Sequence, residues 1–169
     1  MKVEAIGDDE AGVDLWIERN DGIHEAQQCK VGIAERSDWS MAALNQKGIL
    51  HYLRIQLERD KSHEFALISS VPAATLRTLS RSARDSSGDP QDFYQYQVQI
   101  RSRKLHDAFN DFCRYLDLDP QRPQDLATAF DLLRRTDFHP FSDDQKTRDD
   151  LKAWAGYLVV GNSTTVIAA

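Results

Sequence analysis

Three polar residues interrupt stretches whose pattern otherwise predicts strands. Asp14 lies in "GVDLWIE", residues 12–18, and Gln28 and Lys30 lie in "EAQQCKVG", residues 25–32. A carboxylate and a carboxamide oxygen are both hard donors of the kind Mg²⁺ takes. An amine two positions beyond the amide points the same way on a strand. It can orient or deprotonate a water, or stabilise charge on a phosphate in transfer. Brought together, the three would suit metal-assisted hydrolysis of a phosphodiester.

Whether they meet depends on the turn between the two stretches. Val13, Leu15 and Ile17 alternate with Asp14, Trp16 and Glu18, which is the period of a strand. "HEAQQCKV", residues 24–31, predicts its hairpin partner. A two-residue loop, Asp21-Gly22, would set Asp14 opposite Cys29. A three-residue loop, Asn20-Asp21-Gly22, would set Asp14 opposite Gln28. The three-residue form takes a type I turn followed by a left-handed residue, usually glycine, and Gly22 stands in that place. This register puts Asp14, Gln28 and Lys30 on one face, with Trp16 and Ala26 beside them. Val13, Leu15, Ile17 and Cys29 form the other, apolar face. The competing reading is a solvated sheet face near an edge, where a lysine guards against aggregation.

The remaining elements must hold this hairpin. "KVEAI" (2–6) predicts a short first strand carrying Glu4, a further candidate metal contact. Ser40 is a candidate N-cap for a helix over about residues 41–60, with Leu50, Leu53 and Leu57 on one face. "HEFALISS" (63–70) predicts a buried strand, and Pro72 opens a helix through "AATLRTLSRSA". The loop-forming "RDSSGDP" (84–90) separates this mixed half from a helical one. There "PQDFYQYQVQI" suits helix or strand. "SRKLHDAFNDFCRYLDL" is amphipathic, with Leu105, Phe109, Phe112, Cys113 and Leu116 in one stripe. "PQDLATAFDLLRR" is a helix, "TDFHPF" an extended link, and "SDDQKTRDDLKAWAGYLVV" a last helix capped by Ser142. The expectation is an α/β (α+β) fold, a mixed sheet with flanking helices and a helical C-terminal half. Residues 1–86 hold the sheet core, and residues 87–169 a helical extension packed on it as one unit.

Bulk properties narrow the function classes. The 169 residues carry 41% hydrophobic and 28% charged residues, enough for a core without disulfides or metals. A net charge of −6 argues against coating nucleic acid through bulk charge, but not against local contact with DNA. Arg77, Arg81 and Arg84 recur at helical spacing, and Arg101, Arg103 and Lys104 follow. This most basic region is a candidate track for a phosphate backbone, against the plainer reading of a solvated helix face. Cys29 and Cys113, the two cysteines, read as buried free thiols of a reducing cytoplasm. No apolar run approaches a membrane span. The five histidines lack metal-ligand spacing, and no serine or cysteine pairs with a histidine and an aspartate as a nucleophile would. Trp39 reads as a lid on the core.

The order strand with Asp14, hairpin, Gln28-Cys29-Lys30, helix, strand resembles the core of PD-(D/E)XK nucleases, with glutamine at the second acidic position. The wording "DLWIERNDGIHEAQQCK" followed by "DWSMAALNQKGIL" resembles a narrower group, the N-terminal double-strand DNA endonuclease domains of bacterial anti-phage defence proteins, including Cap-type effectors. The resemblance implies a restriction-endonuclease-like sheet. It implies Asp14 and Gln28 as ligands of Mg²⁺ or Mn²⁺, and Lys30 as the catalytic lysine. It implies double-stranded DNA as substrate, a homo-oligomer, a fused or associated sensor or NTPase module, and a cytoplasmic location. Such nucleases carry a helix before the first strand, and the chain starts almost at that strand. No Walker A pattern occurs. The alternative is a catalytically inactive module of the same fold that binds protein or nucleic acid.

Overall fold

The computed structural model describes residues 12–30 and 38–140. Strand β1 (Leu15–Glu18) and strand β2 (His24–Lys30) form the hairpin. Helices α1 (Met41–Gln46) and α2 (Ile49–Arg59) lead to strand β3 (His63–Ser69). Helix α3 (Ala74–Asp85) and a single turn, α4 (Pro90–Asp92), follow. Next come a π-helix (Phe93–Gln99), α5 (Arg103–Tyr115), α6 (Pro123–Arg134) and strand β4 (Thr136–Pro140). The sheet runs β1-β2-β3-β4, with β1 antiparallel to β2 and the other neighbours parallel. This is an α+β protein with a mixed sheet and flanking helices. The strand expected over residues 2–6 and the helix expected after Ser142 lie outside the described residues.

The hairpin takes the three-residue loop. Leu15 pairs with Gln27 and Glu18 with His24. Arg19 N–H donates to the Ile23 carbonyl at 2.9 Å, and Gly22 N–H to the Arg19 carbonyl at 3.0 Å. Gly22 has φ of 81°, and the Asp21 carboxylate accepts the Ile23 N–H at 3.3 Å. The pairing runs from Glu18–His24 to Leu15–Gln27, and Asp14, just before it, departs from the regular ladder by donating its N–H to the Gln27 carbonyl at 2.8 Å, so the expected Asp14–Gln28 pair does not form.

Three expectations are corrected. The helix expected over 41–60 is two helices, because Gly48 sits at φ of 71° and ends the first one. The ring of Tyr52 packs 3.3 Å from where a Cβ on Gly48 would lie. The "TDFHPF" link is strand β4, pairing Phe65 with Thr136 through Ser69 with Pro140. It is short and carries a proline at its end, which is tolerated at a sheet's margin. The ambiguous "PQDFYQYQVQI" is one α-turn followed by the π-helix, which buries Phe93, Tyr94 and Val98. Phe93 meets Phe109 at 5.8 Å and Phe130 at 5.1 Å between ring centroids, so the helical half has its own aromatic contacts.

The cap expected at Ser40 forms, its Oγ accepting the Ala43 N–H, but α3 starts at Ala74 and leaves Pro72 outside it. Ser102 Oγ accepts the Leu105 N–H, and Pro123 opens α6. The stripe of α5 is buried as expected, and Trp39 is 4% exposed with its indole N–H donating to Ser69 Oγ at 3.0 Å.

Arg135, at the end of α6, ties the halves together. Its Nη1 donates to the carbonyls of Leu57, Asp60 and His63, and its Nη2 to Asp131 at 2.6 Å. Two of those carbonyls lie at the C-terminal end of α2, where a cation also complements the helix dipole. Burial pushes the Asp131 carboxyl up, but hydrogen bonds from Arg135 and Lys61 outweigh it and hold the group below its ordinary range. Its contribution is therefore complete above the usual carboxylate value of about 4 and fades as pH falls through the lowered folded value. Arg135→Ala strands three carbonyls and a carboxylate around a side chain only 13% exposed. We expect it to cost about 3 kcal/mol, read as a lower urea midpoint at pH 7. A change below about 0.5 kcal/mol, the usual span of surface substitutions, would contradict this account.

Candidate active site

β2 lies between β1 and β3, so its side chains alternate between two faces of the sheet. Ala26, Gln28 and Lys30 share a face with their β3 partners Phe65, Leu67 and Ser69. Thr136 and Phe138 of β4 continue that face. Ala26, Phe65, Leu67, Thr136 and Phe138 are buried, so the core lies on this side. This reverses the expected assignment of faces. Leu15 and Ile17 are half-buried, although Gln27 and Ala66 beside them and Val13 are buried, and Cys29, expected in the core, is exposed. The apolar weight of β3 and β4 decides the matter, outvoting the pattern within β1.

Gln28 is consequently a carboxamide at the core, 1% exposed. Among the described residues its Oε1 has no hydrogen-bond partner. Leaving such an acceptor dry costs about 1–3 kcal/mol. Asp14 is exposed and lies just before β1. Its backbone N–H donates to the Gln27 carbonyl at 2.8 Å, and its Oδ2 accepts the Cys29 N–H at 2.7 Å. That contact satisfies a β2 donor where β1 has stopped pairing and anchors the carboxylate at Cys29. Lys30, half-buried, ends β2 opposite Ser69.

Cys29 reports the local field. Burial raises its thiol above the ordinary range, the Asp14 carboxylate raises it further, and Lys30 opposes both. Both charged groups therefore act on one point at the end of β2. The same end of the sheet carries an acid, an amide oxygen without a partner and an amine. Among the described residues no three His, Cys, Asp or Glu side chains gather as metal ligands. Asp14 and Gln28 are the candidate oxygen donors at this end of the sheet. Glu4 lies outside the described residues. An unpartnered carboxamide oxygen and an exposed carboxylate are the kinds of donor a hard cation takes, its other ligands coming from solvent or substrate.

The basic region divides. Arg84 donates to the Thr136 carbonyl at 2.6 Å and to Asp137 at 3.1 Å, which makes it a strap between α3 and β4. Arg77 and Arg81 instead face a cleft that also receives Arg101. Spacing along α3 unites the first three arginines; only the tertiary fold substitutes Arg101 for Arg84.

No protein-family model matches the chain, and no curated protein or solved structure does either. Among the described residues no helix is long and apolar enough to cross a membrane.

Cys29 offers a test of the geometry that needs no activity. Cys113 is buried, with its thiol pushed up to about 12, so iodoacetamide should label the folded chain at Cys29 alone. Asp14→Asn removes the charge that opposes the thiolate and should speed labelling at pH 8 by about two- to fivefold. Lys30→Met should slow it by a similar factor. Equal rates in all three proteins would mean that neither charge lies beside the thiol.

Proposed function

We propose that the chain is a metal-dependent DNA endonuclease module of a bacterial anti-phage defence effector, acting in the cytoplasm. The observation that carries the reading is that Gln28 and Lys30 share one face at the end of β2, with the Gln28 Oε1 unpartnered, while Asp14 Oδ2 accepts the N–H of Cys29 between them. The resemblance of the Asp14…Gln28-Cys29-Lys30 order to PD-(D/E)XK nucleases, with their restriction-endonuclease-like sheet, supports it.

Asp14 and Gln28 would hold Mg²⁺ or Mn²⁺, which when bound supplies Lewis-acid polarisation of a phosphoryl oxygen and a more acidic attacking water. The hydrogen bond from Cys29 N–H to Asp14 Oδ2 holds one carboxylate oxygen and leaves Oδ1 free of that bond. Lys30 ends β2 two residues beyond Gln28 on the same face. Its Nζ would orient the water and offer a donor to the charge that grows on the phosphate. With only one carboxylate in the set, the site relies on the DNA's own phosphate to complete binding, so metal and DNA should bind cooperatively. Cutting a duplex takes two such sites, which calls for a homo-oligomer. A fused or associated sensor or NTPase module would supply the trigger.

One observation favours a second reading, an inactive module of the same fold that binds nucleic acid or protein. Gln28 is almost wholly buried, which shields it from an incoming strand. A supercoiled-plasmid assay separates the two. Cleavage is expected with Mg²⁺ or Mn²⁺ and not in EDTA, and Lys30→Ala or Asp14→Asn should lower it at least about a hundredfold. Lys30→Ala cutting as fast as wild type would remove the assignment. Retarded but intact DNA would favour the second reading.

A further inference from the structure

A cleft of about 510 Å³ opens between α3 and the end of the π-helix, with Phe138 of β4 in its wall. Arg77 and Arg81, one turn apart on α3, and Arg101 all line it, against the single carboxylate of Asp85. Three guanidinium groups against one carboxylate leave two net positive charges facing one concavity. Asp85 does little to cancel them. It meets Arg81 at 3.4 Å with side chains 77% and 68% exposed, where solvent screens the pair.

The other two cations are uncompensated. Arg101 is held by neutral acceptors, Ser82 Oγ at 2.8 Å and Gln97 Oε1 at 3.3 Å. Ser82 is buried, so it fixes the guanidinium in place without neutralising it. Arg77 makes no side-chain ion pair among the described residues. Fixed, unpaired guanidinium forks suit the oxygens of a phosphate, which they bind bidentately.

Position adds a second argument. Phe138 and Gln28 pair with Leu67 from its two sides, so the cleft wall and Gln28 share one face of the sheet. Two strand spacings separate them, about 10 Å.

We infer that the Arg77–Arg81–Arg101 cleft is a phosphate-binding subsite that grips the backbone of the nucleic-acid strand reaching the Asp14 and Lys30 end of β2. The grip on phosphate stands on the cleft alone; the shared strand rests on the nuclease reading. The same oxyanion chemistry would also accept a small phosphate ester, so the test carries both probes.

Binding of a fluorescein-labelled DNA duplex to the full chain is measured by anisotropy in EDTA, where no cleavage is expected. Arg77→Gln/Arg101→Gln should weaken binding at least about tenfold and flatten the slope of log K against log salt by roughly two phosphate contacts. Arg77→Gln alone, which leaves the Ser82 anchor intact, should show a smaller change in the same direction with an unaltered circular dichroism spectrum. Arg103→Gln/Arg114→Gln, on the exposed side of α5, should bind as wild type does. Unchanged affinity and salt slope in the double variant would overturn the inference. If titration calorimetry shows that the double variant loses inorganic phosphate or a mononucleotide while duplex binding is kept, the strand assignment is overturned. Absence of plasmid cleavage by the wild type would bear on the nuclease reading and leave this binding result standing.

Discussion

The register of β2 is the constraint from which the rest of the arrangement follows. This strand pairs over seven residues with β3, in parallel, and with β1, antiparallel. The antiparallel side is set locally by the three-residue loop and Gly22. The parallel side is set at long range, through α1 and α2. Both must agree, because a slip of one residue turns every side chain to the other face. Such a slip would bring Gln27 and Cys29 against Phe65 and Leu67, and lift Ala26 and Gln28 away from them. Agreement between a turn and a crossover is a strong specification, and it places a carboxamide at the core as its by-product.

That carboxamide is the point of conflict. Leucine or valine at position 28 would join Leu67 and Phe138 with no unpaired polar atom. The chain instead buries an acceptor that no described residue satisfies. Local violations of good packing concentrate where a function needs them. The surroundings can carry the cost. Arg135 ties α2, α6 and β3 together by four hydrogen bonds, and Trp39 fastens the end of β3 through Ser69. Each lies on the part of the sheet that β2 shares.

Much of this was legible in the sequence where the cause is local. Asn20-Asp21-Gly22 encodes the hairpin register, Ser40 and Ser102 encode caps, and the α5 stripe encodes a buried face. Causes that lie elsewhere in the chain were not legible. The alternation in β1 marks Leu15 and Ile17 as inward, yet the core sits on the other side because β3 and β4 supply Phe65, Leu67 and Phe138. β4 itself reads as a link, since five residues ending in proline carry little strand signal without the parallel neighbour that pairs with them. The break at Gly48 is hidden inside a continuous helical pattern, and the π-helix mixes the two periods. Within the candidate sites, the turn sets the Leu15–Gln27 register, while the placing of Asp14 on the Cys29 N–H follows only from where the ladder ends. The exchange of Arg84 for Arg101 follows only from where β4 and the π-helix end.

Topology explains why these groups collect at one edge. Parallel strands β2, β3 and β4 all finish there, and ligands of open α/β sheets lie outside such carboxyl ends. β1 runs the opposite way, so the residue before it, Asp14, arrives at the edge where β2 delivers Lys30. The chain leaving β3 then turns at once into α3. Trp39 N–H donates to the Pro72 carbonyl at 2.7 Å, and the Asp38 carboxylate accepts the Ala74 N–H at 2.9 Å, which pins the start of that helix. Arg77 and Arg81 project from its first turns, so their distance from Lys30 is set by strand spacing and a short, tied connection. An acid, an amide, an amine and a pair of arginines thus reach one rim by strand direction alone, with no long loop needed to carry any of them.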